Sequence, residues 1–313
     1  MLCHKVFNPR NILKFMALKI GRIEVEDTYC EAFDGLFSRI LITAANRRML
    51  ERAALVSTAL PCTVFGESEG GIEKWVRKKE TPDGREGAII QVWVNYRKNA
   101  AEKLEYELAK RVRQGVLVVP TTSIFNALES EERIDIMGRV GHCGDGYESV
   151  EKKFGREVIS IPLMMGEFII ERYVGYAKGV MGGNIWLMCS TQDSALTAGE
   201  LAVEAVKKID GAITSFDICS AGSKVETSYP EIGPTTNHPY CPTLRGKIKD
   251  SKVPEGIVSI PEIVINGVSL NAVKEAMKAA MHAVKGVRGV ERISAGNYGG
   301  KLGSYVIHLR DLI

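Results

Sequence analysis

A glycine-rich segment near the end of the chain constrains the fold more than any other feature. Between Ile293 and Tyr305, four glycines fall within eight positions, with an asparagine, a tyrosine and a lysine among them. The residues on either side, 289–293 and 305–309, have the composition of strands. Glycine allows positive φ and lets a ligand or another strand come close to the backbone. The sequence therefore predicts a strand-to-strand turn that is open to close approach.

Two common nucleotide-binding motifs do not fit this segment. A Walker-type phosphate loop needs a glycine five residues before its Gly-Lys pair and a hydroxyl residue after it. Ala295 and Leu302 stand at those positions. A dinucleotide fingerprint opens a helix, whereas residues 304–309 have the pattern of a second strand. From the residues alone, the remaining alternative is a glycine-rich hairpin that binds no ligand.

The pattern of strands and helices divides the chain into two α/β halves of similar content. Several strands follow one another without a helix between them, which disfavours a doubly wound parallel sheet. We predict an α/β (α+β) class with two ferredoxin-like lobes built from split βαβ units. The predicted strands are 39–44, 88–94, 116–119, 167–170, 184–188, 257–265 and the two beside the glycine segment; the predicted helices are 47–60, one through 104–112, 195–209 and 270–284.

The length of the chain suits two domains. Its 313 residues are enough for two ordinary cores, and we predict an N-terminal lobe at 17–160 and a C-terminal lobe at 161–313. Residues 1–16 are expected to be an extension or a mis-assigned start. They lack the apolar core, about 7–15 residues long, of a signal peptide.

Charge and hydropathy exclude two classes of partner. Residues 1–15 contain three basic residues and no acid, and the rest of the chain is neutral. No overall basic balance therefore points to nucleic acid. No apolar run approaches the roughly 18 residues of a membrane span, so no membrane partner is predicted.

Cysteines and histidines predict neither disulfides nor a metal site. The seven cysteines are scattered without a CxxC motif, and the five histidines form no HxH or HExxH pair. This usage suits a reducing cytoplasm. We predict that the protein binds no metal.

The glycine segment, together with the stretch from Pro261 to Gly267, resembles the formylmethanofuran:tetrahydromethanopterin formyltransferase family. The resemblance runs from about Ile20 to Ile313. It implies an archaeal-type cytoplasmic enzyme of one-carbon metabolism, such as methanogenesis or its reverse. Such an enzyme uses methanofuran and tetrahydromethanopterin as co-substrates, has no tightly bound cofactor, and forms a homo-oligomer, a dimer or tetramer. The N-terminal lobe would be the family's distal lobe and the C-terminal lobe its proximal, catalytic lobe.

Glu262 is the sharpest candidate for chemistry. It lies within the apolar stretch from Val258 to Ile265, where desolvation raises the pKa of a carboxyl group. A neutral carboxylic acid can donate a hydrogen bond to an oxyanion and exchange a proton. From the pattern alone, a glutamate that faces solvent or pairs with arginine is the more common outcome. The resemblance places the family's catalytic glutamate here, although Pro261 before it departs from the family pattern.

A second group of residues is predicted to bind substrate. An amide or phenol beside glycines can hydrogen-bond a pterin edge or a formyl oxygen, and a lysine can attract an acidic tail. Asparagine beside glycine is equally typical of a hairpin turn, and loop lysines are usually only solvated. The long segment 211–252, rich in Ser, Thr, Gly and Pro, is expected to form an ordered substrate wall. The predicted binding residues are Asn184, Ser294, Asn297, Tyr298, Gly299 and Lys301.

Three functions remain open on this basis. The resemblance implies direct transfer of a formyl group from formylmethanofuran to N5 of tetrahydromethanopterin through a tetrahedral intermediate. The first alternative is a subunit of a bacterial formyltransferase/hydrolase complex that runs towards formylmethanofuran. The second is a ferredoxin-like nucleic-acid-binding module, which would need aromatic and basic residues interleaved along a strand. No strand of this sequence has that pattern.

Overall fold

The computed structural model describes residues 18–59, 68–215, 217–224 and 226–313. The predicted extension at 1–16 and the end of the predicted helix 47–60 lie outside the described residues. The strands are β1 (Lys19–Ile20), β2 (Ile23–Val25), β3 (Tyr29–Ala44), β4 (Glu69–Val76), β5 (Glu86–Asn95), β6 (Ser123–Asn126), β7 (Arg133–Asp135), β8 (Ser149–Lys153), β9 (Arg156–Leu163), β10 (Gly166–Glu171), β11 (Tyr173–Cys189), β12 (Ala212–Thr214), β13 (Glu262–Gly267), β14 (Val290–Ser294) and β15 (Tyr305–His308). The α-helices are α1 (Arg47–Thr58), α2 (Ala100–Arg111), α3 (Gln192–Val206) and α4 (Leu270–Ala283).

The first lobe is a complete split βαβ unit. Its elements run β3-α1-β4-β5-α2-β6, and its antiparallel sheet has the order β6-β3-β5-β4. Both helices pack on β3 and β5. The first strand therefore lies beside the last, as in a ferredoxin-like sheet.

The second lobe repeats this arrangement. Its elements run β11-α3-β12-β13-α4-β14, and the strand order is β14-β11-β13-β12, again antiparallel throughout. Helices α3 and α4 pack on each other and on β11 and β13. The prediction of two ferredoxin-like lobes in an α/β protein is confirmed.

Of the four α-helices in the part of the chain that the structure describes, three begin at a side-chain cap. Asn46, Thr191 and Ser269 each accept a hydrogen bond from the backbone N–H three residues later. Such a cap satisfies one of the donors that a helix start leaves unpaired. The caps fix where α1, α3 and α4 begin after their preceding strands.

Strands β3 and β11 join the two lobes. They are 16 and 17 residues long, against the usual five or six or so. The second half of β3 belongs to the first lobe, and the second half of β11 belongs to the second lobe. Residues Phe33–Ser38 of β3 pair antiparallel with residues Tyr176–Met181 of β11 and so connect the two lobes. One sheet therefore runs through both lobes.

The glycine segment connects two strands, as predicted, but it does not form the hairpin that the residues alone had left as an alternative. β14 pairs with β11 and β2, whereas β15 pairs with β3. The segment is therefore a loop that crosses between strands with different partners. Its turns still need glycine, because Gly299 and Gly300 have φ of +73° and +72°. The loop does not close a hairpin because it folds around the buried carboxylate of Glu31 on β3.

The predicted strand at 116–119 is wrong. Residues Val112–Leu117 continue α2 as a π-helical turn. A side chain on Gly115 would meet the backbone of Ser57 in α1 at 2.8 Å, so the two helices touch there. A short apolar run cannot be assigned to a strand or a buried helix by periodicity. The strand that follows is β6.

Each lobe has a large apolar core, and each core contains residues from both sides of the predicted boundary between the lobes. Residues of β1 to β3, including Ile20 and Ile23, pack in the core of the second lobe. Residues after 161, among them Phe168 and Val174, pack in the core of the first. The lobe boundary between residues 160 and 161 therefore stays a prediction. Each core also contains residues from the other side of that boundary.

Candidate active site

Three neighbouring strands of the second lobe place Glu262, Trp186 and Ser294 in one row. Trp186 on β11 lies directly opposite Glu262 on β13 and opposite Ser294 on β14. Directly opposed residues on paired strands point to the same face of the sheet. Asn184 lies on this face too, because it precedes Trp186 by two residues. The sheet thus brings together candidates that are far apart in the sequence.

Glu262 begins β13 and is held on both sides. Its backbone N–H and C=O bond to Cys219 at 2.9 Å each, and its Oε1 accepts from Nε1 of Trp186 at 3.0 Å. Pro261, which has no N–H, contributes only its carbonyl, to Leu187 at 3.0 Å. The regular ladder therefore starts at Glu262, directly after this proline.

The protonation of Glu262 is shifted by its surroundings. Burial raises the pKa of this carboxyl above its ordinary value, and bonds from Trp186 and Cys219 oppose that rise without cancelling it. No described lysine or arginine forms an ion pair with it. Desolvation without a cationic partner keeps a carboxyl group protonated to higher pH. This is the state predicted for a group that donates to an oxyanion.

A cavity of about 540 Å³ opens beside Glu262. Part of its wall comes from the long segment between β12 and β13, through Ser220, Gly222, Asn237 and Tyr240. The expectation that this segment forms an ordered wall agrees with its placement here. The cavity is large enough to receive part of a coenzyme-sized ligand.

The glycine segment is folded around the carboxylate of Glu31, a buried residue of β3. The backbone N–H groups of Gly300, Leu302 and Gly303 donate to it at 2.9–3.1 Å, and that of Tyr298 donates as well. Burial works to raise the pKa of Glu31, but these four donors together lower it. The amides that could have bound an anionic ligand are therefore already occupied.

The two predicted asparagines also serve the glycine segment. Asn184 Oδ1 accepts from the N–H of Gly296 at 2.7 Å, and its Nδ2 donates to the carbonyl of Gly296 at 3.3 Å. Asn297 is exposed and accepts from the N–H of Gly299 at 3.1 Å, while its Nδ2 donates to the carbonyl of Tyr29 at 3.4 Å. Both amides hold backbone in place, so their role as direct ligands of a substrate stays a prediction.

Tyr298 is partly buried in the segment, whereas Gly299 and Lys301 are exposed. Burial raises the pKa of the Tyr298 phenol, and the charges of Glu262 and Glu31 raise it further. Tyr298 is therefore within electrostatic reach of Glu262. A side chain at Gly299 would meet nothing within 4 Å, and Lys301 is exposed. The contact of these three residues with substrate remains a prediction.

Ser294 lies in the same row as Trp186 and Glu262, but its hydroxyl contacts the carboxylate of Glu26. Its side chain is buried, and its hydroxyl donates to Glu26 of the segment that follows β2. Arg292 also holds Glu26, at 3.1 Å. Ser294 thus ties the edge of the site to the start of the chain, and its predicted role in binding substrate is untested.

Four residues that shape the site were not singled out from the sequence, although Cys219 and Tyr240 lie in the segment that was expected to form a substrate wall. Trp186, Cys219, Tyr240 and Glu31 are separated from Glu262 by 22 to 231 positions. Trp186 could have been found from its two-residue spacing to Asn184 on a predicted strand. The others reach the site through pairing and loop folding, which leave no local signal in the sequence.

Comparison with known families identifies this arrangement. Residues 18–163 match the family model described as formylmethanofuran-tetrahydromethanopterin formyltransferase, and residues 166–312 match the model of its proximal lobe. The chain belongs to this family. The resemblance drawn from the glycine segment is thus confirmed.

Relatives of the formyltransferase family cover nearly all of the chain. A formyltransferase-like protein of Archaeoglobus fulgidus is 60% identical over 95% of this chain and 98% of its own length. The solved formyltransferase of Methanosarcina barkeri has a TM-score of 0.88 at 38% identity, covering 95% of this chain and all of that one. A chain of the formyltransferase/hydrolase complex of Methylorubrum extorquens, solved with methylofuran, has a TM-score of 0.87 at 35% identity, covering 95% and 98%.

The described residues contain neither a metal-binding cluster nor a membrane-spanning helix. No group of three or more histidine, cysteine or acidic side chains among them is arranged to hold a metal ion. No helix within the same residues is long and apolar enough to cross a membrane. The prediction that the protein binds no metal stays a prediction.

Proposed function

We propose that this protein transfers a formyl group between formylmethanofuran and N5 of tetrahydromethanopterin. The observation that carries the proposal is Glu262, a carboxyl with a raised pKa and no cationic partner among the described residues, at the wall of a cavity of about 540 Å³. Membership of the formyltransferase family supports the choice of substrates. Both coenzymes act as co-substrates, and neither a metal nor a tightly bound cofactor takes part.

The transfer needs one acid-base group and no covalent enzyme intermediate. N5 attacks the formyl carbon, a C–N bond forms, and the carbonyl electrons move to oxygen, which receives a hydrogen bond from protonated Glu262. When the carbonyl re-forms, the C–N bond to methanofuran breaks. The departing amine takes the proton of Glu262, and the carboxylate then takes the proton lost by N5. Removal of a single oxyanion donor costs about 3–4 kcal/mol in comparable enzymes.

We assign the remaining site residues by their freedom to contact a ligand. Tyr298, Gly299 and Lys301 are proposed to contact the coenzymes, with Asn297 beside them, because Gly299 and Lys301 are exposed and Tyr298 is within electrostatic reach of Glu262. Asn184 and Ser294 are proposed to support binding by holding the glycine segment and the edge of the sheet. Positioning two large coenzymes in register lowers the barrier by removing the entropy cost of their encounter.

The direction of transfer separates two forms of this proposal. The likeness to a chain of a formyltransferase/hydrolase complex supports the alternative that this protein works as a subunit and runs towards formylmethanofuran. Co-purification with an amidohydrolase-like partner would support that alternative. Family membership leaves the nucleic-acid-binding module without support.

The high identity to a protein named only as formyltransferase-like makes activity itself worth testing first. Purified protein should transfer the formyl group in a spectrophotometric assay with both coenzymes. The change Glu262→Gln keeps the size of the side chain and removes proton exchange. We expect transfer to slow by about 10²–10⁴, with both coenzymes bound within a few-fold of wild type.

The matched control for this change is Glu200→Gln, an exposed residue on α3. It should leave turnover unchanged. Near-normal turnover of the Glu262→Gln enzyme would exclude Glu262 as the proton-exchanging group. Wild-type protein that binds neither coenzyme would reject the proposed function as a whole.

We further propose a cytoplasmic homo-oligomer, either a dimer or a tetramer. The five described cysteines are unpaired, which suits a reducing compartment. Met164 and Met165 form an exposed apolar turn between β9 and β10, and such surfaces commonly lie in interfaces. Sedimentation of the purified protein would measure the oligomer size, and a monomer at micromolar concentration would contradict the proposal.

A further inference from the structure

Trp186 is held more firmly than a cavity-lining residue needs to be. Its side chain is 7% exposed, and the ring of Tyr240 meets it edge-on with centroids 4.6 Å apart. On the other side a Cβ at Gly296 would lie 2.7 Å from its Cζ2, so only glycine leaves room for the indole. With the ring fixed in this way, the direction of its N–H is fixed too.

That N–H points at a single oxygen of the candidate catalytic group. Nε1 lies 3.0 Å from Oε1 of Glu262. An indole can donate a hydrogen bond but cannot accept one. Oε1 must therefore act as an acceptor in both charge states, and the proton of the neutral acid lies on Oε2.

We propose that Trp186 is a positioning residue that selects Oε2 of Glu262 as the oxygen that carries and delivers the proton. This inference rests on the proposed role of Glu262 in formyl transfer. Without the indole, either oxygen could hold the proton, and half of the neutral acid would present an acceptor towards the developing oxyanion. The indole thus converts a symmetric carboxyl into an oriented donor.

The other titratable groups around the pair do not provide this selection. Cys219 lies beside Glu262, and its thiol, whose pKa is raised by burial and then by the charge of Glu262, is a weak donor. Tyr298 interacts with Glu262 through charge. Tyr240, on the far side of the indole, senses the charge of Glu26 instead. Among the described residues that contact the Glu262 carboxyl, only the indole is a strong donor that cannot reverse its role.

The pair can be observed without any substrate. The chain has three tryptophans, Trp75, Trp93 and Trp186, so a protein labelled with ¹⁵N at the indole gives three resolvable signals. We expect the Trp186 signal to shift with pH as Glu262 titrates, and this step to vanish in Glu262→Gln. Trp93 donates to Gln91, an uncharged partner, and serves as an internal reference. A Trp186 signal that is flat across the titration of Glu262 would overturn the proposal.

The kinetic test uses Trp186→Phe against Trp75→Phe, a tryptophan that packs under Arg47 away from the site. We expect Trp186→Phe to lower kcat by about 10- to 100-fold, the loss of one hydrogen bond to a charged group, with KM changed less than threefold or so. The indole bond stabilises the carboxylate, so its loss should move the alkaline limb of the kcat profile to higher pH. Trp75→Phe should leave the profile in place.

Different results would contradict the proposed role of Glu262 and the inference about Trp186. If Glu262→Gln is active, the proposed function of Glu262 fails while the indole signal still titrates. The inference fails if Glu262→Gln is inactive but Trp186→Phe keeps the alkaline limb of the wild-type kcat profile. A variant of this kind, with only a raised KM or a lowered stability, would show that Trp186 is a packing residue. If Trp186→Phe does not fold, the indole titration of the wild-type protein decides alone.

Discussion

At the scale of single residues, the site depends on two desolvated carboxyl groups, those of Glu262 and Glu31, whose pKa values shift in opposite directions. Glu262 sits beside an indole and a thiol, and burial raises its pKa. Glu31 accepts four backbone N–H groups, which lower its pKa. The number of hydrogen-bond donors, and not burial itself, decides which carboxyl group stays charged.

The raised pKa of Glu262 predicts a cost in stability. A carboxyl group whose pKa is higher in the folded state stabilises the fold fully below its unfolded pKa, and this contribution is lost as pH rises through the folded pKa. Glu262→Gln has no charge to bury. We expect the mutant to have a higher Tm than wild type at pH 8 and an equal Tm at pH 4. Calorimetry at both values measures this, and a lower Tm at pH 8 would show that the carboxylate is stabilised in the fold.

The pH dependence of catalysis follows from the same shift. If transfer needs neutral Glu262, the rate is highest below the folded pKa and falls as pH rises through it. Because that pKa is raised, the fall should occur above the range of an ordinary glutamate. A pH profile of kcat for wild type would show this limb, and Glu262→Gln should lack it. A wild-type rate that rises over the same range would instead point to carboxylate acting as a base.

At this scale the sequence indicated some roles and concealed others. The apolar neighbours of Glu262 pointed to its desolvation, because burial within a strand can be judged from adjacent residues. The donors that moderate that desolvation, Trp186 and Cys219, come from other strands and loops. Glu31 gave no signal, since its four partners lie about 270 positions away and are backbone groups.

At the scale of elements, the glycine segment is an internal anion site. Its amides converge as in loops that bind phosphate, but their anion is Glu31 of the same chain. The prediction of a turn with positive φ was correct for Gly299 and Gly300. The hairpin alternative does not form, because a loop's strand partners depend on tertiary pairing.

Glu31→Gln should release this segment. A glutamine offers one acceptor and brings N–H donors towards N–H donors, so several amides lose their partner. We expect a loss of at least about 2 kcal/mol in the free energy of unfolding, since each unsatisfied buried donor costs about 1–3 kcal/mol. Hydrogen exchange of residues 296–304 should quicken and KM should rise. Because the pKa of Glu31 is lowered, its contribution is present at neutral pH and is lost as pH falls through the folded pKa.

The control for Glu31→Gln is Glu275→Gln, on the exposed face of α4. It should change neither exchange nor KM. Unaltered exchange across 296–304 in Glu31→Gln would show that the segment is held mainly by Asn184 and by packing. A change in kcat alone would mean that Glu31 acts on the chemistry through Tyr298.

At the scale of the whole molecule, the two lobes share one sheet. Their ferredoxin-like character was predictable because it follows from the order of strands and helices. The shared ladder was not, because the first halves of β3 and β11 resemble ordinary strand extensions in sequence. In that ladder Gly35 lies opposite Gly179, and the ring of Trp93 packs over this bare stretch of backbone.

The last prediction tests whether this junction holds the molecule together. A Cβ at Gly179 would lie 2.5 Å from Cη2 of the buried Trp93 and 2.9 Å from the carbonyl oxygen of Gly267. Trp93 is stacked on Phe37 with centroids 4.5 Å apart, so it cannot move aside. We expect Gly179→Ala to destabilise the fold by about 1–3 kcal/mol, the cost of overpacking a filled core. Since one sheet crosses both lobes, wild type should unfold in a single calorimetric transition, and Gly179→Ala should broaden or split it. Gly138→Ala, at a glycine with nothing within 4 Å, should leave it unchanged. Two transitions in wild type would mean that the lobes unfold independently despite the shared strands.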